Sequence, residues 1–142
     1  MPPLLTIMLH HCAVEMLNAI LVCNGLYDVC CGMAVLTDAH HPLAHLHAAV
    51  FCSAHQPPCG SLGRRFMGYW ILTYAGPRLA AGLLGPRPEL DMVCAYTYLI
   101  EGMAYHAENC RFGTASAVGV ALVSGASYVL ALASAWRSLA AL

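Results

Sequence analysis

The 142-residue chain is 60% hydrophobic and only 9% charged, with a formal net charge of -1 and a mean hydropathy of +0.66. Soluble domains carry about 25% charged residues, so this composition is typical of an integral membrane protein. All six basic residues are arginines, and they leave no basic surface for nucleic acid. The eight cysteines lie mostly in apolar segments, where cysteine behaves as a small hydrophobic residue.

Four apolar segments, separated by Pro, Gly and Arg, predict an all-α polytopic membrane protein whose four transmembrane helices form one compact bundle. Each segment approaches the roughly 20 residues that a helix needs to cross a 30 Å hydrocarbon core. The single membrane domain, residues 1–142, has predicted spans at 14–37, 66–84, 90–110 and 114–136 and a His-rich connector at 38–63. An even number of spans places both chain ends on the same side of the membrane. The start of the chain lacks the basic region and cleavage site of a signal peptide, so a targeting segment is expected to be absent or already removed.

The third predicted span carries a stripe of polar and aromatic residues at helical spacing. The stripe consists of Cys94, Tyr98, Glu101, Tyr105 and Glu108. An acid in hydrocarbon costs roughly 2.5 to 3.5 kcal/mol, so we expect this face to contact other helices, a cavity or a bound group.

The first two spans also carry charged residues, which are Asp28 and Arg78. We expect Asp28 to need a partner within the membrane. Two interpretations of Arg78 are open: its side chain extends to the nearby interface, or it pairs with Asp28 or Glu101. In either case we predict that Asp28, Arg78 and Glu101 point into the bundle or a protein interface.

Histidines provide the candidate ligands for a cofactor. The connector contains His40, His41, His45, His47 and His55. His41 and His45 are four residues apart, at which spacing two imidazoles on a helix can share a metal, whereas His106 has a direction fixed by its own helix. We therefore name His106, His41, His45 and His47 as candidate ligands for chlorophyll or another tetrapyrrole; carotenoid or lipid is a further possible cofactor, and no particular metal is indicated. The alternatives are connector histidines solvated by headgroups and a His106 that hydrogen-bonds a neighbour.

The fourth predicted span repeats small residues at every fourth position, namely Ala117, Ala121 and Gly125. Small residues at this spacing allow two helices to approach closely in lipid, so this face is a predicted packing seam. The alternative is that Ala and Gly are simply common in this chain. With Asp28, Arg78, Glu101 and Glu108, these residues complete the predicted helix-packing and partner-contact set.

From Arg65 onward the chain resembles the ergosterol biosynthetic protein 28 family. The resemblance covers about residues 62–136 and depends on Arg65, Gly68, Trp70 and Arg78, a short turn, then Glu108, Phe112, Gly113 and Thr114 before a small-residue fourth helix. It implies a small four-helix membrane protein that is not an enzyme but holds sterol-synthesising enzymes together. The family usually has a histidine four residues before the glutamate, whereas this chain has alanine at that position and its histidine at His106.

Catalytic motifs are missing from the sequence, and His106 and Glu108 point to different faces of a helix. We therefore predict no catalytic residues and no enzyme, with a lipid or sterol isomerase as the least implausible activity. The favoured function is a non-catalytic accessory or scaffold subunit that contacts other integral membrane subunits and membrane lipid. The favoured setting is a photosynthetic or respiratory complex in a thylakoid or mitochondrial inner membrane, given the lysine-free composition and the histidines. The alternative is a sterol-enzyme scaffold in the endoplasmic reticulum.

Overall fold

The computed structural model describes residues 4–37, 42–43, 61–113 and 117–141. Within these residues the secondary structure is helical, without strands, which confirms the all-α prediction. The four long helices are α1 (Leu4–Leu36), α2 (Ser61–Leu83), α3 (Pro88–Ala107) and α4 (Ala117–Ala140). A π-helical turn, Glu108–Phe112, continues α3 before the chain enters α4.

Two helices begin earlier than the spans predicted from the sequence. The first helix begins at Leu4 rather than at residue 14, because the residues before Val14 are apolar, contain no proline after Pro3 and extend an existing helix at little cost. The second helix begins at Ser61 rather than at residue 66, so the last residues of the predicted connector are helical. α2 also continues through Pro77 as one helix.

Two glycines with left-handed backbone reverse the chain. Gly85, with φ of 73°, follows α2, and Pro88 starts α3 at a position where its missing N–H is not needed. Gly113, with φ of 64°, ends the π-helical turn, and its N–H donates to the Glu108 carbonyl. The second and third helices are therefore joined by a tight turn.

The antiparallel pairs α1–α2 and α3–α4 have the most extensive contacts, whereas α1 and α4 touch only slightly. Glycines bring α1 and α2 close together. A Cβ at Gly32 would lie 3.2 Å from the Gly68 carbonyl oxygen, and one at Gly82 would lie 2.9 Å from the Asn18 carbonyl oxygen. The α1–α2 interface is thus built on backbone contact, as small residues permit.

The distribution of polarity is inverted relative to a soluble domain. Wholly or almost wholly buried charged side chains lie between the helices: Asp28, Arg78, Asp91, Glu101 and Arg137. Large apolar side chains cover the outside, among them Met16, Leu26, Leu99, Leu122 and Leu132. Two of the described helices, α1 and α4, are long and apolar enough to cross a membrane, whereas α2 and α3 do not reach that criterion.

Candidate functional site

An arginine from α2 lies at the centre of the bundle and joins the two antiparallel helix pairs, α1–α2 and α3–α4, which we call the two hairpins. Arg78 is wholly buried. Its Nη1 donates to Asp28 Oδ2 on α1 at 2.8 Å, and its Nη2 donates to Glu101 Oε2 on α3, also at 2.8 Å. Of the two interpretations open from the sequence, the structure shows pairing with both acids. We call Asp28, Arg78 and Glu101 the central ionic cluster.

Two tyrosine rings flank the guanidinium group. The Arg78 Cζ lies 3.7 Å from the centre of the Tyr98 ring and 4.2 Å from that of Tyr74. Arg78 Nε also donates to Thr97 Oγ1 at 3.3 Å, while the Tyr98 hydroxyl donates to Asn24 Oδ1. Because cation–π contact and hydrogen bonds both hold the guanidinium group, its position between the acids is fixed.

The acids outnumber the arginine in the central ionic cluster, so with both acids ionised its formal charge is -1. Each carboxylate uses one oxygen for Arg78, and Ser127 Oγ donates to the same Glu101 oxygen at 3.0 Å. Among the described residues, no hydrogen bond is formed by Asp28 Oδ1 or Glu101 Oε1. The cluster therefore retains acceptor capacity and negative charge inside an apolar protein.

α1 and α4 barely touch, and the cleft between them leads to this cluster. Its cavity volume is about 340 Å³. The polar part of its lining includes Asn24, Asp28, Tyr98, Glu101 and Ser127, and the apolar part includes Leu122, Val123, Ala126 and Leu130. We call this cavity the acidic cleft. It presents carboxylate oxygens at the bottom and apolar side chains along the α4 side.

A second buried ion pair lies between the helices near the α2–α3 turn. Arg137 on α4 donates from Nε to Asp91 Oδ2 at 2.9 Å, and from Nη2 to Asp91 Oδ1, so the pair is bidentate. Arg137 also donates to Asn18 on α1 and, at 3.3 Å, to the Ala81 carbonyl on α2. One side chain thus connects all four described helices, and this pair is formally neutral.

Arg137 and Asp91 were missed by the sequence reasoning. Arg137 lies just after the predicted fourth span, and Asp91 lies in the first turn of α3, where an acid favours the positive end of the helix dipole. The signal that could have found them is Asn18 in the first predicted span, because its amide also requires a polar partner.

The predicted stripe on the third helix is largely confirmed. Cys94, Tyr98, Glu101 and Tyr105 are buried, and Glu108 is half-buried in the π-helical turn. Glu101 contacts Ser127 on α4 as well as Arg78, so this face joins α3 to both of its neighbours. The stripe is an internal packing surface, as an acid on an apolar helix requires.

The small residues predicted to form a packing seam on α4 do not lie at an interface between the described helices. Ala117, Ala121 and Gly125 are all exposed, and a Cβ added at Gly125 would meet nothing within 4 Å. The α4 face that packs on α3 instead uses serines. Ser124 donates to the Gly102 carbonyl at 3.1 Å, and Ser138 donates to the Pro88 carbonyl at 2.8 Å.

The candidate histidine ligands are only partly described. His106 is exposed on α3, where its Nε2 lies 3.6 Å from the Cys110 sulfur. His41, His45 and His47, like His40 and His55, lie outside the described residues. Within the described part of the chain, no group of three or more His, Cys, Asp or Glu side chains is arranged to hold a metal.

Comparisons with protein-family models, with curated proteins and with solved structures found no match to this chain. The described fold therefore defines the molecule as an all-helical protein with two helices suited to crossing a membrane. Its distinguishing feature is a buried ionic cluster at the end of a cleft.

Proposed function

We propose that this chain is a four-span integral membrane protein that serves as a non-catalytic accessory or scaffold subunit. The observation that carries the proposal is the inverted polarity: the bundle buries its ion pairs and exposes leucine, methionine and valine. A soluble domain has the opposite arrangement, because exposed charge is solvated and buried charge is expensive. α2 and α3 are less apolar than a typical span in part because they carry Arg78, Asp91 and Glu101, and these three side chains are buried between the helices.

The positions of the exposed charges support four spans. Glu15, Arg87 and Glu89 lie at one end of the bundle, and Arg65 and Arg111 lie at the other. Within the described helices, no exposed Asp, Glu or Arg lies between these two levels. At about 1.5 Å per residue, the stretch of α2 from Arg65 to the turn at Gly85 measures about 30 Å, the thickness of a hydrocarbon core.

Site-specific labelling tests this topology. In a cysteine-free background, Arg65→Cys, Arg87→Cys and Arg111→Cys are introduced singly and treated with a membrane-impermeant maleimide in sealed vesicles. We expect the variant at position 87 to be labelled from one side, and those at positions 65 and 111 from the other. Labelling of all three from the same side in intact vesicles would exclude the four-span arrangement.

The outer face of the α3–α4 pair supports contact with partner subunits and lipid. A groove of about 700 Å³ runs along it and is lined by Met92, Tyr96, Leu99, Tyr128 and Leu132, among other apolar residues. The exposed small residues of α4 provide a second close-approach surface. Because its ion pairs are buried between the helices, the protein offers partners mainly apolar faces.

Two settings remain proposals, and we favour the first. One is a large photosynthetic or respiratory assembly in an organelle membrane, where the exposed His106 is a candidate ligand for a tetrapyrrole. The other is a sterol-enzyme scaffold of the endoplasmic reticulum, as the family resemblance implies. The lysine-free composition supports the organellar setting, whereas the two-hairpin bundle is compatible with both.

Affinity purification of the full chain from its native membrane in mild detergent tests the accessory role. We expect stoichiometric recovery of integral membrane subunits, of photosynthetic or respiratory complexes in the favoured setting and of sterol enzymes in the alternative. Substituting the outer face of α4 by Ala121→Trp and Gly125→Trp is expected to reduce recovery at least tenfold, while Leu26→Trp, on the exposed face of α1, serves as the control. A chain recovered alone after chemical cross-linking would contradict the accessory role.

A further inference from the structure

The acidic cleft contains two buried carboxylates whose outward oxygens have no protein donor among the described residues. The side chain of Asp28 is 3% exposed and that of Glu101 is 10% exposed, and both line the cavity. A molecule that enters the cavity can therefore donate to these oxygens. The geometry therefore favours a ligand that brings hydrogen-bond donors or positive charge.

We propose that the acidic cleft binds a small organic ammonium ion with an apolar substituent. The ammonium group lies against Asp28 Oδ1 and Glu101 Oε1, where it neutralises the excess negative charge of the central ionic cluster. The apolar substituent lies along Leu122, Val123 and Leu130. This inference concerns the described cavity and does not depend on the accessory role.

The lining of the cleft matches this class of ligand. Tyr27 and Tyr105 contribute to its wall, as does Tyr98, whose ring already contacts the Arg78 guanidinium group. Aromatic rings beside carboxylates are suited to organic cations, since the negative face of a ring attracts positive charge. The volume of about 340 Å³ lies within the range of roughly 300 to 1,000 Å³ that is usual for small-ligand sites.

The arginine makes an organic cation a better fit than a bridging metal ion. Arg78 donates to one oxygen of each carboxylate at 2.8 Å, and so occupies the position between them that a bridging metal would take. Asp28 Oδ1 and Glu101 Oε1 are then each available to a separate hydrogen-bond donor. Ammonium groups bind single oxygens through separate N–H donors, whereas a hard metal ion requires about six oxygen ligands.

Calorimetric titration of the full chain in detergent with phenethylammonium chloride tests the proposal. We expect saturable binding of one equivalent. The neutral analogue 2-phenylethanol has nearly the same shape without the charge, and is expected to bind at least tenfold more weakly. Equal affinity for the two compounds, or uptake that does not saturate, would overturn the proposal.

Two pairs of variants test separately whether binding requires the carboxylate charge and whether it requires the open cavity. Asp28→Asn is expected to weaken phenethylammonium binding at least tenfold, whereas Glu89→Gln, at an exposed acid of α3, leaves it unchanged. Leu122→Trp fills the cleft from its α4 side without changing any charge, and is also expected to reduce binding at least tenfold. Leu132→Trp, which lines the groove on the other side of α4, is its control. If Asp28→Asn does not fold, the tryptophan pair decides, and unchanged binding by Leu122→Trp refutes the site.

Discussion

Replacing the central arginine by methionine, Arg78→Met, is expected to lower the free energy of unfolding by about 3 to 5 kcal/mol, the usual cost of removing one partner from a buried ion pair. The variant leaves Asp28 and Glu101 buried without their cation, and the two carboxylates repel each other. Thermal unfolding in detergent, followed by circular dichroism and by the fraction of monodisperse protein, measures the loss. Arg87→Gln, at an exposed position in the α2–α3 turn, is the control and should unfold like the parent protein.

A triple variant distinguishes unpaired charge from lost packing. Arg78→Met combined with Asp28→Asn and Glu101→Gln removes every charge of the central ionic cluster while approximately retaining its volume. We expect it to recover most of the stability, because exchanging a whole buried ion cluster for neutral groups is often nearly neutral in free energy. If the triple variant is no more stable than Arg78→Met, side-chain packing rather than charge holds the two hairpins together.

The second large effect is expected at the α1–α2 interface. Gly82→Ala places a Cβ 2.9 Å from the Asn18 carbonyl oxygen and 2.9 Å from the Val22 nitrogen. Backbone atoms cannot turn away as a side chain can, so the two helices must separate. We expect a loss of about 1 to 3 kcal/mol, as for other overpacked interiors, measured by the same thermal unfolding.

Gly125→Ala, within α4, provides the control. Gly125 is exposed, and an added Cβ meets nothing within 4 Å. Because alanine is the better helix former, this control should be neutral or stabilise the protein by about 0.5 to 1 kcal/mol. Equal behaviour of the two alanine variants would show that α1 and α2 do not approach as closely as the structure places them.

The inward direction of Glu101 was predictable from sequence because an acid in an otherwise apolar helix has few acceptable environments, and helical periodicity then assigns the rest of its face. The same reasoning predicted pairing for Asp28. It could not decide between pairing and interface exposure for Arg78, since a long side chain near a helix end reaches both. Only the relative register of α1, α2 and α3 decides this, and register depends on tertiary packing.

The α1–α2 interface shows a second reason why the packing could not be predicted from the sequence alone. The sequence offers small residues on several helices, and their spacing alone favoured Ala117, Ala121 and Gly125. Which small residues are used depends on the partner helix: Gly32 is suited to close approach because Gly68 lies opposite it. The histidine ligands proposed for the connector lie outside the described residues and stay predictions.

The division of charges between the hairpins has a consequence for biosynthesis. The α1–α2 hairpin contains Asp28 and Arg78, and the α3–α4 hairpin contains Asp91 and Arg137, so each includes a mutually neutralising pair. Among the buried acids of the described helices, Glu101 alone lacks a cation within its own hairpin, and its partner is Arg78. During synthesis of the chain, Arg78 emerges from the ribosome before Glu101. In the proposed four-span arrangement, the first hairpin therefore already contains the partner of Glu101 when α3 is inserted, and formation of the Arg78–Glu101 ion pair then joins the two hairpins.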